Sequence, residues 1–264
     1  AHVLSAERLH VDDTTVPVLA RMKTRTGRLW VYVRDDRPFG GRAPPAALFD
    51  YSPTRHGEYP RRVLADWSGV MQADAFSGYN ELYAKGRKPA PALEAACWAH
   101  ARRKFFDIHA LAGKSHQQTP IATAVIERIG ALYVIEEHIR GKPPDERRRI
   151  RQLNTKPKLD ELKQFFEASL LQVSRKSDLA EAIGYALTRW TALMRFLDDG
   201  RIEIDNNAAE RALRCVALGR KNFLFAGSDV SGEHAAAIYS LIQSAKLNAI
   251  DPEAYLRYVL TRIN

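Results

Sequence analysis

Three carboxylates from distant parts of the chain fall beside apolar runs: Asp12 in LHVDDTTV, Asp74 in GVMQADAFSGYN and Glu210 in IEIDNNAAERALR. Each Asp closes a short run that reads as a strand. The Glu falls in the first turn of a run that reads as a helix. Mg²⁺ and Mn²⁺ favour oxygen ligands, and a pair of such ions held by carboxylates on rigid elements drives in-line displacement at a phosphodiester. Taken singly, each residue also has a structural reading. Asp12 and Asp74 are polar strand ends before turns, and Asn207-x-x-Glu210 is a capping box that closes a helix N-terminus by reciprocal hydrogen bonds. Taken together on a basic chain, the three point to cutting and joining of DNA strands.

Cations lie close to these acids. Arg211 and Arg214 are three apart, hence neighbours on one helix face, and Arg220 and Lys221 follow. A second cluster is CWAHARRK, with His100, Arg102 and Arg103. These seven residues, His100, Arg102, Arg103, Arg211, Arg214, Arg220 and Lys221, are the candidate DNA contacts, because phosphate positioning needs cations beside the reacting centre. A metal role for His100 is disfavoured, since hard Mg²⁺ prefers oxygen. The segment 141–176 holds ten Lys or Arg and five Asp or Glu, a net of +5. It reads either as a DNA-backbone grip or as a solvated face.

Composition bounds the rest. The chain has 264 residues, 45% hydrophobic, with 40 Lys plus Arg against 31 Asp plus Glu, a formal charge of +9. Such an excess favours polyanions, nucleic acid first. Two cysteines, Cys97 and Cys215, make neither a disulfide framework nor a tetrahedral zinc site. Both sit among apolar neighbours and read as buried thiols in a reducing compartment. No apolar run approaches the ~20 residues that span a bilayer, so no membrane partner is expected. The opening AHVLSAERLH is not a signal peptide. It lacks a start Met and leads straight into a strand, so an N-terminal portion is expected to be missing.

The elements that must position the acids come next. LHVDD, RLWVYVRDD (28–36), AALFDYS (46–52) and VMQAD (70–74) read as strands, with a turn at 24–27 between the first two. A short helix is expected over 61–67. LEAACWAH (93–100) reads as a fifth strand or the approach to the helix that follows. Residues 117–200 show three stretches with apolar residues at helical spacing, broken at Lys142-Pro143-Pro144. Helices from about 207, over 231–248 and from Pro252 complete the chain. The expected divisions are therefore 1–116, the first part of a mixed α/β core; 117–200, an all-helical insertion; and 201–264, the Glu210 helix and C-terminal helices.

The runs LHVDDTTVPVL, MQADAFSGYN, CWAHARRKF, IEIDNNAAERALR and GRKNFLFAGSDVSGEHAA, in this order, resemble the motif blocks of insertion-sequence-66 type transposases. The resemblance implies a ribonuclease-H-like core with a DDE triad, Asp12, Asp74 and Glu210, holding two Mg²⁺ or Mn²⁺ ions. It implies metal-dependent strand cleavage and strand transfer at transposon ends and target DNA. It also implies a homo-oligomer assembled on DNA and a bacterial cytoplasmic, nucleoid-associated location. An N-terminal DNA-binding region and a short C-terminal continuation of the family would lie outside this chain. Position 13 departs from the pattern, being Asp where the family commonly has Glu; strand alternation points Asp13 away from Asp12. A nuclease that only hydrolyses, and a non-catalytic DNA-binding remnant, are the alternatives.

Overall fold

The first two strands join through Arg21 and Met22 alone, with Met22 at φ 61° and 98% exposed. The turn expected at 24–27 is therefore strand: Leu19 pairs with Thr24 and Val16 with Gly27. β-branched Thr24 and Thr26 suit a pleated strand. Gly27 is there for space, since a Cβ at that position would lie 2.6 Å from the Tyr51 hydroxyl.

The computed structural model describes residues 1–114 and 119–263, so the expected boundary at 116/117 lies outside the described residues. In chain order the elements are β1 (Arg8–Ala20), β2 (Lys23–Arg34), β3 (Ala46–Ser52), α1 (Glu58–Val63), β4 (Val70–Ala73), β5 (Leu93–Ala96), α2 (Trp98–Lys114), α3 (Pro120–Ile139), α4 (Pro144–Ile150), α5 (Lys156–Leu170), α6 (Asp178–Thr188), α7 (Trp190–Met194), α8 (Asn207–Gly219), α9 (Asp229–Leu247) and α10 (Pro252–Leu260). The fold is mixed α/β. Its chain divides into two units: Ala1–Arg37 with Arg42–Glu94 and Asn206–Asn264, and Pro38–Gly41 with Ala95–Asp205.

The strands form one five-stranded sheet in the order β3-β2-β1-β4-β5. β1 runs antiparallel to β2 and parallel to β4, and β2 runs antiparallel to β3. Alternation sorts the side chains onto two faces. Leu9, Val11, Trp30 and Tyr32 pack with Leu64, Trp67, Tyr79 and Leu82 on one face. Leu29, Val31, Val33, Phe49 and Tyr51 pack on the other against α8 and α9, through Ala209, Ala212, Leu213, Val216 and Ala236. The apolar spacing 209, 212, 213, 216 is the i, i+3, i+4, i+7 stripe that seats one helix face on a sheet.

The second unit is helical. Phe105 stacks on Phe166 at 5.6 Å, and Trp190 meets both Phe166 and Trp98 edge-on. The basic run of 141–176 does not lie wholly on a solvated face. Arg147 and Arg151 are 1% and 0% exposed. Arg151 grips the Glu136 carboxylate with two nitrogens, at 2.7 and 2.6 Å, and donates to Phe196 O at 2.7 Å. Arg147 pairs with Glu203 and, at 3.3 Å, with Glu136. Charge this deeply buried persists only when paired, and the partner acids lie outside 141–176. Local charge counting therefore misassigned these two residues.

Candidate functional site

β1 is flanked by β2 and β4, so a side chain at its middle sits on the most rigid part of the sheet. Leu9 and Val11 face the Trp30 side, and alternation sends His10 and Asp12 toward α8. Leu9 pairs with Met71 and His10 with Gln72 in the parallel β1–β4 ladder. The ladder stops there; β4 ends at Ala73, and Asp74 is the next residue in the chain. α8 carries Glu210 in its first turn. Its N-terminal end is tied to β1 by Asn206, which is fully buried. The Asn206 side-chain amide donates to Val11 O at 2.9 Å, and its Oδ1 meets His10 Nδ1 at 3.0 Å.

The chemistry of that tie is self-consistent. Arg8 can only donate, and it contacts His10 Nε2. His10 is therefore an acceptor at Nε2 and a donor at Nδ1, the neutral tautomer, and its proton goes to Asn206 Oδ1. The N-cap of α8 is Asn206, one residue before the Asn207 of the expected capping box; its side chain makes no cap hydrogen bond and donates instead to Val11 O on β1.

The charges of Asp74 and Glu210 act on Asp12. The Asp12 carboxyl is pushed up to about 7, first by burial and then by the negative charges of Asp74, Asp13 and Glu210, against a backbone N–H donated by Asp13 at 2.8 Å. Asp12 is half-buried and Glu210 exposed. The ligand oxygens of all three do not fall within 4.8 Å of one another, tighter than three acids need be when they serve two ions about 3.5–4 Å apart. The donor set is all carboxylate, which fits a hard divalent cation. Negative charge concentrated on Asp12 fits a group that neutralises it.

Asp13 belongs to a different arrangement. Its side chain is wholly shielded and pairs with Arg28 at 3.0 Å and Arg55 at 2.8 Å. Arg55 also reaches Asp74 at 3.2 Å and lies 4.2 Å over the Phe76 ring. The second oxygen of Asp74 accepts the Phe76 N–H at 3.1 Å. Asp74 is thus held by a turn and by a guanidinium before any ligand arrives. Neither Arg55 nor Asn206 was legible as a site residue. Arg55 is one of 40 Lys and Arg, in a loop after β3. His10 had one signal: it lies two before Asp12 and so shares its face.

Of the cations, Arg211, Arg214 and Lys221 are exposed in the unit that holds the acids. Arg220 in the same unit donates to Thr14 Oγ1 and, at 3.4 Å, to Thr15 Oγ1. His100, Arg102 and Arg103 lie on α2 in the helical unit; Arg103 is exposed and the other two partly so. Cys97 is buried, whereas Cys215 is only part-buried, a departure from the expected pair of buried thiols. No helix among the described residues is long and apolar enough to cross a membrane.

Known sequences resemble this chain along its length. "Uncharacterized protein y4hP" of Sinorhizobium fredii (strain NBRC 101917 / NGR234) is 44% identical over 270 residues, spanning 100% of this chain and 49% of the relative. "Uncharacterized protein y4qI" of the same strain is 43% identical over 267 residues, spanning 99% and 48%. The chain spans about half the length of the curated relatives it matches. The IS66 C-terminal element matches residues 240–264, and the family described as "Transposase IS66 family" matches residues 1–234. The chain therefore belongs to the IS66 transposase family.

Proposed function

We propose that this chain is the catalytic core of a DDE transposase, with a ribonuclease-H-like sheet interrupted by a helical insertion over about 117–200. Asp12, Asp74 and Glu210 form its triad. The observation that carries the reading is the placement of Asp12 on the central strand β1, with Asp74 just past its parallel neighbour β4 and Glu210 in the first turn of α8, which packs on the sheet. The strand order and the β1–β4 parallel pair support the core assignment. In this reading Asp12, Asp74 and Glu210 would together hold two Mg²⁺ or Mn²⁺ ions. When bound, such a pair activates the attacking oxygen and offsets charge on the leaving oxygen at a phosphodiester. The chain's own part is positional. Asn206 fixes α8 against β1, Arg55 holds Asp74, and Arg211, Arg214, Arg220 and Lys221 orient DNA phosphates, with His100, Arg102 and Arg103 as further contacts. Substrates are transposon ends and target DNA, the working form is a homo-oligomer on DNA, and the place is the bacterial cytoplasm at the nucleoid.

The test is a plasmid assay with Mn²⁺, paired with calorimetric Mn²⁺ binding. The expected outcome is nicked and joined products, abolished in Asp12→Asn and Glu210→Gln while both variants stay folded. Hydrolysis without joined products would select the nuclease alternative. Retained cleavage in Asp12→Asn sinks the assignment. Absence of Mn²⁺ binding favours a non-catalytic remnant.

A further inference from the structure

Residues 219–228, GRKNFLFAGS, keep three apolar side chains in water: Phe223, Leu224 and Phe225 are 71%, 76% and 43% exposed. Two hydrogen bonds help to keep them out. The Ala226 N–H donates to Pro17 O and its carbonyl accepts from Leu19 N, both at 2.8 Å, a bridge that stitches the stretch to the far end of β1. Upstream, the chain is still fixed by α8. The two rings therefore rim a cavity of about 520 Å³ between β1, the end of α8 and α9, floored by Val16, Val216, Ile238 and Tyr239. Arg220 lines it too, and exposed Lys221 is next in the chain.

We propose that this cavity takes an unstacked nucleobase of a bound DNA strand, with Phe223 and Phe225 as stacking surfaces and Arg220 and Lys221 on the flanking phosphates. The proposal rests on the DNA reading above and adds a base-recognition site to it. Flat rings beside cations are how sequence-tolerant strand binding is built. Among the described residues no acidic side chain lines the cavity and its charged lining residue is Arg220, which suits a polyanion. A second copy of this chain, itself carrying +9, would meet it with like charge.

The site also lies at a fixed reach from the acids. Val16 is four residues past Asp12 on β1, about 13 Å at ~3.3 Å per residue. Arg220 is ten residues past Glu210, about 15 Å at ~1.5 Å per residue. Either span equals the axial rise of about four stacked duplex nucleotides at ~3.4 Å each.

The experiment is fluorescence anisotropy in EDTA, with a 20-nucleotide oligothymidine and a fully abasic strand of equal length. Wild type should bind oligothymidine about 5- to 150-fold tighter, the range expected from ~1–3 kcal/mol of stacking per base. Phe223→Ala with Phe225→Ala should remove that preference and leave abasic binding unchanged. Phe225→Trp should keep it, which separates loss of stacking from misfolding. Lys221→Gln should lower the salt slope by about 0.7 for both strands. Equal binding of the two strands by wild type overturns the proposal and leaves the DNA reading standing. So does a preference that survives loss of both rings, or an effect of that loss on self-association alone. Binding of neither strand overturns both.

Discussion

Asp12 sits in a site short of positive charge, and that has a sign. An acid whose folded pKa is raised, here from 3.8 to about 7, holds its proton more tightly in the folded state than in the unfolded one. Stability of the metal-free protein therefore falls as pH rises from about 4 to 7 and levels off above that window. Asp12→Asn removes the effect. In EDTA its unfolding free energy should match wild type near pH 4 and exceed it near pH 8, by on the order of 1–2 kcal/mol once water at this half-open site is allowed for. A gap independent of pH would show that the carboxyl is not perturbed. Asn206 makes a second case at this scale. Asn206→Ala would strand Val11 O and His10 Nδ1 in a dry site, costing about 1–3 kcal/mol for each group left unpaired. Urea unfolding should register this, and Asn206→Asp should not rescue it, because a carboxylate cannot donate to Val11 O. The elements that carry the acids were legible: Asp12 lies on β1, Asp74 just past β4 and Glu210 in the first turn of α8. Their supports were not: Asn206 and Arg55 act on partners 195 and 42 positions away in the sequence, and no local pattern encodes that.

Among the elements, β3 shows how a helix can finish a sheet. It ends the strand order, so the outer side of its backbone would be open to pairing with another chain. α9 covers it with two serines four apart. Ser240 Oγ accepts the Phe49 N–H at 2.8 Å, and Ser244 Oγ accepts the Ala47 N–H at 3.1 Å while donating back to Ala47 O. One helical turn, about 5.4 Å, nearly matches two strand residues, about 6.8 Å, so the spacing works. Gly232 lets α9 come this close, since a Cβ there would lie 2.5 Å from the Tyr51 ring. Ser240→Ala with Ser244→Ala should cost about 1–3 kcal/mol per orphaned N–H and speed amide exchange at Ala47 and Phe49. A change under about 0.5 kcal/mol would mean that water replaces both hydroxyls. Strand identity was readable from alternation in β2 and from the short apolar runs of β3 and β4. The length of β1 was not, because Asp13, Thr14, Thr15 and Pro17 obscure a strand that β2 and the 219–228 stretch together hold extended.

At the scale of the whole molecule, a formal +9 says that polyanions are attracted but not where they bind. Burial removes Arg147 and Arg151 from any DNA surface, while Arg148 and Arg149 between them are exposed. The helical unit pairs the inner two with Glu136 and Glu203, residues that periodicity alone put on separate stretches. The same non-locality hid the unit's extent: Pro38–Gly41 joins it through the Gly141 N–H donating to Pro38 O at 2.8 Å. The two pairs of arginines should therefore behave oppositely. Arg147→Gln or Arg151→Gln removes one of the two arginines that share the buried Glu136 carboxylate and should destabilise the helical unit by about 1.5–3 kcal/mol, the worth of a hydrogen bond to a charged group. Arg148→Gln with Arg149→Gln should change stability by less than about 0.5 kcal/mol. If both touch duplex phosphates, the slope of log affinity against log salt should flatten by up to about 1.8, roughly 0.9 per contact. Urea unfolding and salt-titrated duplex binding on the same four variants separate the outcomes. Stable Arg147→Gln would contradict the buried ion cluster. An unchanged slope in the outer pair would move the DNA path off α4 and onto the cations of α8.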